Sequence, residues 1–519
     1  MHLEALDLGV VAAYAVFLLV IAQWVSREKA GHRKNATDYF LAGRSLPWWA
    51  IGASLIAANI SAEQIIGMSG SAWVMGIAIG AYEWMAALTL VVVAKWLLPV
   101  FLKHDIYTMP QFLEARYDHR VRNVMACFWL GIYVFVNLTS ILWLGALALN
   151  TVAGVDLTVG LAALGLFAAA YSLYGGLKAV ALTDIIQVTL LVFGGILIAW
   201  ISLDAVSDGQ GAIAGFKTLV ERTPERFDLI FTKDSPHYMS LPGLSVLLGG
   251  MWIMNLSYWG FNQYIIQRAL AAKDTREAQK GILFAAFLKM LMPIIIVLPG
   301  VAAAILAPDL EAPDRAYPTV MNLLPTGILG LVFAALIAAI VSSLASMMNS
   351  IATIFTMDLY RHFTAVEGPA LVRTGRIVSF TAIVIAMLVA KPLLGNFKEA
   401  FQYIQEFTGF FTPGVCALFL LGFFWPKTTS NGALATALGS AVLSLAFKLA
   451  WPGLPFIDRV GLVFVLCILV GIGVSAMQGA ESHPDAIDYE TVDTRTTTGF
   501  NVGALAILAM LAALYATWW

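Results

Sequence analysis

The sequence predicts an all-α polytopic membrane protein with about fourteen transmembrane helices. Of the 519 residues, 60% are hydrophobic and only 12% are charged, whereas soluble proteins have about 25% charged residues. Apolar stretches recur from one end of the chain to the other, and most reach the roughly 20 residues that a helix needs to cross a bilayer. The mean hydropathy of +0.82 agrees with this class and excludes a soluble globular protein.

The predicted spans are joined by polar connections, and the longest of these are 203–240 and 479–498. No soluble domain is predicted between them. Glu4 and Asp7 precede the first span where a cleaved signal peptide would have Lys or Arg, so we expect this span to be retained. We predict the spans at 5–25, 48–70, 74–102, 123–150, 156–175, 179–202, 241–266, 280–306, 326–358, 372–391, 399–425, 431–451, 459–478 and 499–518.

Basic residues predict the orientation of the spans. Lys or Arg residues follow the first, third, seventh and ninth spans, for example Arg33, Lys103, Arg276 and Arg361. Connections rich in these residues stay in the cytoplasm, so the odd-numbered spans are expected to end there. We therefore expect a multi-pass protein of the plasma (inner) membrane with both termini outside the cytoplasm.

The second span is interrupted at its centre by the segment Ala57 to Gln64, which contains Asn59, Ser61 and Glu63. In hydrocarbon every backbone N–H and C=O needs a partner, so an unwound segment is stable only against protein or a water-filled cavity. Freed carbonyls can bind a hard cation, and the polar side chains beside them can bind a solute. Discontinuous helices of this kind mark the binding sites of secondary transporters.

Two groups of five spans indicate an internal repeat, 48–202 and 241–425, and each opens with an interrupted helix. Because five is odd, the two units enter the membrane from opposite sides, which is the geometry of an inverted repeat. The second interruption is predicted at 248–260, where the alternative is that glycines permit close helix packing. The flanking regions are an N-terminal helix with a cytoplasmic loop at 1–47, an extracellular loop at 203–240 and three further helices at 426–519.

Polar side chains inside the spans predict a site for a neutral solute. Charges at membrane depth are costly and usually mark a pathway, and Glu83 and Lys289 cancel each other. A neutral site rich in donors and acceptors suits the hydroxyls of a sugar or polyol. Taken singly, each such residue more often packs one helix against another. The charged and amide residues concerned are Gln64, Glu83, Asn137, Asp184, Asn255, Lys289, Gln405 and Glu406.

Aromatic side chains near these positions offer flat faces to a pyranose ring. Tyr82, Tyr258 and Phe401 could cover a bound sugar. Trp84 and Trp259 could do the same, and the alternative for both is a position in the core or against lipid.

Adjacent hydroxyls in the ninth span suggest an ion site. Sodium is a hard ion that neutral oxygens satisfy, so Ser342 and Ser343 together with carbonyls of the interrupted helix could enclose it. The alternative is that both serines bond their own helix backbone at a close helix contact.

Several stretches in order along the chain resemble one known family, the solute:sodium symporters, and in particular its sodium/galactose and sodium–glucose cotransporters. The resemblance extends from about residue 38 to 430, and so many blocks in the same order are not expected by chance. The matching stretches are 38–44, 58–64, 82–84, 174–180, 183–184, 255–259 and 402–405.

The resemblance implies a LeuT-type fold of five plus five helices with flanking helices, and it implies roles for individual residues. One departure is Ala86, where the galactose-type pattern has a serine facing the sugar, so the preferred hexose stays open. The implied sugar contacts are Gln64, Glu83, Asn137, Asn255, Lys289 and Gln405. The implied gate residues are Tyr258 on the inner side and Met68, Tyr82 and Phe401 on the outer side. The implied sodium ligands are the carbonyls of Ala57, Ile60 and Ala339 and the hydroxyls of Ser342 and Ser343, with Asp184 behind them.

The hypothesis that best fits these features is sodium-coupled import of a neutral hexose by alternating access. Symport of inositol or another neutral polyol is a second hypothesis, and a sugar sensor that moves no net substrate is a third. An enzyme is disfavoured, because all 7 His residues lie in connections or at chain ends. We expect a sugar, sodium and the lipid bilayer as partners and no nucleic acid, and the oligomeric state stays open, a monomer included.

Overall fold

The computed structural model describes residues 3–25, 45–106, 108–364, 369–395, 400–479, 481–482 and 486–519. For residues 19, 22, 23, 25 and 173–184 it describes the backbone and not the side chains. The described residues are almost entirely helical and contain no strand, only one isolated bridge between Leu46 and Ala272. The predicted all-α class is confirmed.

The α-helices are numbered here in chain order. They are α1 Ala5–Val25, α2 Trp48–Asn59, α3 Met68–Met75, α4 Ala81–Val92, α5 Leu98–Lys103, α6 Met109–Arg116, α7 His119–Ile132, α8 Thr139–Ala153, α9 Leu157–Val206, α10 Ala212–Arg222, α11 Ser245–Leu248, α12 Gly250–Leu256, α13 Gln263–Leu270, α14 Thr275–Met292, α15 Leu298–Leu306, α16 Ala316–Met321, α17 Ile328–Ile354, α18 Arg361–Thr364, α19 Pro369–Leu394, α20 Ala400–Thr408, α21 Thr412–Phe424, α22 Ser430–Ala450, α23 Phe456–Met477 and α24 Thr498–Thr517.

Turns of π-helix adjoin many of these helices. A π-helical turn contains an extra residue, and such turns are frequent at functional sites. They lie at Glu63–Gly67, Val93–Leu97, Tyr133–Leu138, Ser257–Phe261, Pro293–Val297 and Phe355–Tyr360.

Nine helical stretches among the described residues are long and apolar enough to cross a membrane, and α20 with α21 makes a tenth if that bent pair is one span. The predicted count of fourteen is therefore not confirmed by length alone. Four predicted spans fall short of this criterion. Those at 48–70 and 241–266 are broken into shorter helices, and those at 5–25 and 156–175 contain or adjoin residues whose side chains are not described.

The helix α9 differs from the prediction, because it covers both predicted spans 156–175 and 179–202 in 50 residues. A straight helix of that length would extend about 75 Å, more than twice the roughly 30 Å of a bilayer core. The predicted connection between the two spans falls within 173–184 and so lies outside the described side chains. The matching stretches 174–180 and 183–184 lie there too.

Two contacts join connections that are predicted to lie on the same side of the membrane. The Lys103 ammonium donates to the Thr491 carbonyl at 3.2 Å, and the Arg226 guanidinium donates to the carbonyl of Trp73. The alternation of the spans and the identity of the cytoplasmic face stay predictions.

Helices α2 and α17 are buried along almost their whole length. From Ala50 to Asn59 every residue of α2 is buried, and so is nearly every residue of α17. A helix that is covered on all sides carries no exposed polar face, so its polar residues face other helices. The predicted ion ligands lie on these two helices and in the turn that follows α2.

Candidate functional site

The predicted interruption of the second span is confirmed. Helix α2 ends at Asn59, and helical structure resumes in the π-helical turn that begins at Glu63. The Ile60 N–H still bonds the Ile56 carbonyl at 2.7 Å, but the Ser61 N–H bonds the Asn59 carbonyl at 2.7 Å instead of that of Ala57. The α-helical pattern of bonds therefore stops at this point.

The second interruption agrees in part with the prediction at 248–260, because one of its two breaks lies inside that range and the other lies beyond it. Helix α12 and its π-helical turn run from Gly250 to Phe261, and the breaks lie at the two ends, at Gly249 and Asn262. The Asn262 backbone is extended, and its side chain accepts the Tyr264 N–H at 3.0 Å to cap α13. An asparagine cap is favoured at a helix start, which explains why the break falls there.

Between the two interrupted helices lies a cavity of about 690 Å³. It brings together residues from α2, α4, α12, α14 and α20 that are far apart in the sequence. Five of the six residues implied as sugar contacts line it, namely Gln64, Glu83, Asn255, Lys289 and Gln405. The sixth, Asn137, lines an adjoining cavity of about 570 Å³ that shares Gln405 and Tyr258 with the first.

A buried ion pair forms the centre of the cavity wall. The Lys289 ammonium donates to the Glu83 carboxylate at 2.6 Å, and the side chains are 0% and 1% exposed. The Gln64 amide donates to the other carboxylate oxygen of Glu83. Because these opposite charges meet away from water, Glu83 and Lys289 cancel each other, as the sequence predicts. The cavity wall also contains the carboxyl group of Glu63.

Asn59 links this ion pair to Tyr258, the implied inner gate residue. Its side-chain oxygen accepts a hydrogen bond from Lys289, and its amide group donates to the Tyr258 hydroxyl at 3.1 Å. The residue at the break of α2 therefore belongs to the same network as the charges on α4 and α14. It is a site residue that the implied contacts do not include.

The aromatic side chains divide into two groups. The ring of Trp259 lies 5.0 Å from the Lys289 ammonium and lines the cavity, so it is a cation–π partner and not a lipid-facing residue. Trp84 is 4% exposed and packs edge-on against Tyr515 of α24 at 6.2 Å. Of the two alternatives for Trp84, the core position is the one observed.

Two of the three implied outer gate residues, Tyr82 and Phe401, line the cavity. The rings of Tyr82 and Phe401 meet at 84° with their centroids 5.3 Å apart, and both line the cavity. Met68 is fully buried at the start of α3 and is not among the lining residues that the structure describes. A Cβ on the preceding Gly67 would lie 3.1 Å from that of Phe401, so α20 packs closely on this segment.

The serines of α17 lie against the break in α2. Ser342 and Ser343 are fully buried, and the Ser343 hydroxyl donates to the Ala58 carbonyl at 3.1 Å. The Tyr264 hydroxyl donates to the same carbonyl. This contact brings α17 to the break between Ala57 and Ile60, where the sequence predicts an ion site, but the neighbouring carbonyl of Ala58 is the one that Ser343 contacts.

The chemistry of this region fits a hard monovalent ion. The available ligands are hydroxyl and carbonyl oxygens, which such ions prefer. In the part of the chain that the structure describes, no group of three or more His, Cys, Asp or Glu side chains could hold a metal ion. Asp184, the implied residue behind the sodium ligands, lies outside the described side chains.

Glu63 is a further residue of the site that the sequence pattern does not single out. Its carboxylate accepts a hydrogen bond from the Ser140 hydroxyl, and its side chain lines both cavities. Its place beside Gln64 in the interrupted segment is the signal that could have identified it. By contrast, Glu406 is not in the cavity wall, because it pairs with Lys448 and Arg459 at the periphery.

Arg268 is a buried cation that contacts both α2 and α17. It follows the seventh predicted span, where basic residues indicated a cytoplasmic connection, but it is only 1% exposed within α13. Its guanidinium donates to the Ser54 hydroxyl of α2 at 2.8 Å and to the Ser346 hydroxyl of α17. One side chain therefore links α2 to α17.

A sequence profile identifies the family to which this arrangement belongs. The profile of the sodium:solute symporter family matches residues 39–439. The chain belongs to this family. Members of the sodium:solute symporter family are transporters and not enzymes.

Similar curated proteins agree with the family. A sodium/glucose cotransporter of Vibrio parahaemolyticus is 46% identical over 538 positions, which cover 100% of this chain and 99% of that protein. A sodium/myo-inositol cotransporter 2 of Mus musculus is 33% identical and covers 87% of this chain and 72% of its own length.

Similar solved structures share the fold of this symporter. A Na+-coupled sialic acid symporter in a substrate-bound outward-open state has a TM-score of 0.79 and 23% identity, over 91% of this chain and 98% of its own. The nucleobase-cation-symport-1 transporter Mhp1 in a closed conformation has a TM-score of 0.57 and 16% identity, over 88% and 98%. The expected LeuT-type fold is confirmed by these likenesses, which at such low identity concern the fold alone.

Proposed function

We propose that this symporter imports a neutral hexose together with sodium by alternating access. The observation that carries the proposal is the neutral, fully buried network of Gln64, Glu83, Lys289 and Asn59 in the wall of a cavity between two interrupted helices. Sugar hydroxyls donate and accept, so they can replace the bonds that these side chains make with one another. The 46% identity to a sodium/glucose cotransporter supports the same substrate class.

Coupling would arise at the break in α2. Sodium bound by the carbonyls of Ala57, Ile60 and Ala339 and the hydroxyls of α17 would hold α2 against α17. The Asn59 side chain lies within this segment and belongs to the sugar-side network. An ion that fixes the segment would therefore orient Asn59 for sugar, and by reciprocity the sugar would increase the affinity for sodium.

The sodium gradient supplies enough free energy for accumulation. One charge that enters through 100 mV contributes roughly 2.3 kcal/mol, and a tenfold sodium gradient adds about 1.4 kcal/mol. Together, about 3.7 kcal/mol supports a sugar concentration ratio of a few hundred at a one-to-one stoichiometry.

The proposed orientation and organisation follow the sequence. We propose residence in the plasma (inner) membrane with both termini outside the cytoplasm. The repeat units would be 48–202 and 241–425, and 1–47, 203–240 and 426–519 would be additions to them. The asymmetric distribution of Lys and Arg supports the proposed orientation. Two contacts between connections agree with it, because each joins segments predicted to lie on the same side.

Uptake into proteoliposomes tests the proposal. The purified protein is reconstituted, and radiolabelled galactose and glucose are supplied with an inward sodium gradient or with choline in place of sodium. We expect accumulation above the external concentration only with sodium and an inside-negative potential. Equal uptake with sodium and choline would refute sodium coupling, and absence of uptake for both hexoses would refute the substrate class.

Myo-inositol is the second candidate substrate. Relatives named sodium/myo-inositol cotransporter 2 match this chain at 33% identity, and Ala86, which has no hydroxyl, lines the cavity. Competition by unlabelled hexoses and inositol in the same uptake assay distinguishes the two. Stronger competition by inositol than by either hexose would favour the second candidate.

A further inference from the structure

A bend interrupts the span that brings Gln405 to the cavity. Helices α20 and α21 meet at 42° across residues 409–411. At membrane depth an unpaired backbone group is costly, so a bend needs partners from elsewhere. The Ser440 hydroxyl of α22 donates to the Phe410 carbonyl at 2.8 Å and accepts the Gly414 N–H at 2.9 Å. The Ser444 hydroxyl approaches the same Phe410 carbonyl at 3.4 Å.

Two ion pairs contact the end of α20 next to the same bend. The Glu406 carboxylate lies 2.9 Å from the Lys448 ammonium of α22 and 2.9 Å from the Arg459 guanidinium of α23. Both cations also face the ring of Phe410, at 5.6 Å and 5.2 Å from its centroid. The C-terminal helices thus contact the last turn of α20 through the Glu406 carboxylate, and the bend through the ring and the carbonyl of Phe410.

The opposite face of α20 belongs to the cavity. Phe401, Gln405 and Thr408 line it, and Phe401 also meets Tyr82. Gln405 and Glu406 are consecutive residues of one short helix, so they point about 100° apart and move as one unit. A change in the tilt of α20 that alters the Glu406 contacts must also displace Gln405.

We propose that α22 and α23 set the tilt of α20, and that Glu406 is a positioning residue for Gln405 through its pairs with Lys448 and Arg459. The inference rests on the proposed function, since Gln405 is taken to contact sugar. The C-terminal helices α22 and α23 would then take part in closing the site around its substrate. The bend is the hinge, and Ser440 keeps its backbone groups paired while α20 moves.

The partial exposure of the Glu406–Lys448 pair indicates that the pair positions α20 more than it stabilises the fold. The Glu406 side chain is 31% exposed and that of Lys448 is 43% exposed. Partly exposed ion pairs contribute little to folding stability. Loss of the Lys448 pair should therefore alter sugar recognition more than it alters the amount of folded protein. Arg459 is only 6% exposed, so the variants that affect its pair are compared per folded protein.

Kinetics of the Glu406→Gln variant test the proposal. We expect the KM for hexose in sodium-driven uptake to rise about 3- to 10-fold, which lies in the lower part of the range for coupled neighbouring residues, with little change in the maximal rate per folded protein. Arg459→Gln should raise KM in the same direction, and the double variant should be no worse than the poorer single variant. Glu406→Asp, which keeps the charge, should lie closer to the unaltered protein.

Glu114→Gln is the matched control. Glu114 pairs with Arg122 at 2.6 Å, and its 35% exposure is close to that of Glu406, but both residues lie outside the cavity. This variant should leave the KM for hexose unchanged. An unchanged KM in Glu406→Gln, or effects of the two single variants that simply add in the double variant, would overturn the proposal.

A second measurement does not depend on the substrate. Spin labels on cysteines at Phe407 of α20 and Ile213 of α10, both exposed, report the position of α20 when Cys127 is replaced by Ser. Glu406→Gln should broaden the distance distribution, and an unchanged distribution would contradict the hinge role. If unaltered protein transports no hexose while this distance still responds to Glu406→Gln, the proposed function fails and the control of α20 by the C-terminal helices stands.

Discussion

Removal of one partner from the buried ion pair should destabilise the protein strongly. Glu83 and Lys289 lie 2.6 Å apart with almost no exposure of either side chain. In Glu83→Ala the Lys289 ammonium would keep its hydrogen bond to Asn59. It would lose its only carboxylate partner within 4.0 Å among the described residues. Breaking a buried pair in this way costs about 3–5 kcal/mol of unfolding free energy. The Gln64 amide also loses an acceptor, which adds to the cost.

The double variant Glu83→Leu with Lys289→Met separates charge from packing. Both charges are then absent, and apolar side chains fill similar volumes, a change that is often neutral for stability. We expect the double variant to be more stable than Glu83→Ala and Lys289→Met, and yet to transport no sugar. Unfolding by denaturant in detergent micelles, followed by tryptophan fluorescence, measures the first difference, and proteoliposome uptake measures the second.

Two results would refute this reasoning. The first is a Glu83→Ala variant whose unfolding free energy lies within about 1 kcal/mol of the unaltered protein, the size expected of an exposed pair. The second is sodium-driven hexose uptake by the double variant, because the pair would then not be needed for substrate.

Three further substitutions probe the remaining parts of the site. Ser343→Ala removes the hydroxyl that contacts the Ala58 carbonyl, so the sodium concentration for half-maximal uptake should rise. An unchanged sodium dependence would show that Ser343 is not a sodium ligand. Tyr258→Phe removes the acceptor of the Asn59 amide, a bond worth about 1 kcal/mol. Sugar efflux should then be faster while binding from outside stays measurable, and unchanged efflux would contradict a gate role. Arg268→Gln weakens the link that Arg268 makes between Ser54 of α2 and Ser346 of α17, so the flux of radioactive sodium measured without sugar should increase. A flux equal to that of the unaltered protein would show that other contacts prevent this leak.

The sequence predicts the main features of the site because membrane burial limits where polar residues can lie. The segment 57–64 is recognisable because Asn, Ser, Glu and Gln interrupt an otherwise apolar span. Glu83 and Lys289 are recognisable for the same reason, since isolated charges at membrane depth need partners. That the two would be each other's partner follows from the packing of α4 on α14, which no local pattern encodes.

Other features depend on helix rotation and on contacts between distant helices. Glu406 looks central by its position along the span, but it faces α22 and α23 and not the cavity. Arg268 looks like a loop residue by composition, but α13 carries it into the interior. The break at Asn262 was missed because a capping asparagine resembles any other polar residue until the start of α13 is known.

The Asn59 carboxamide presents a donor to one side of the site and an acceptor to the other. At Asn59 the NH₂ group is turned toward the Tyr258 hydroxyl and the oxygen toward Lys289. An aspartate of the same shape would present acceptors on both sides, and a leucine would present neither. If Tyr258 moves as the proposed gate role requires, the Asn59 amide loses a partner on one side only and keeps its bond to Lys289. Under the proposed function, this single side chain would link the release of sugar to a change in the charged pair.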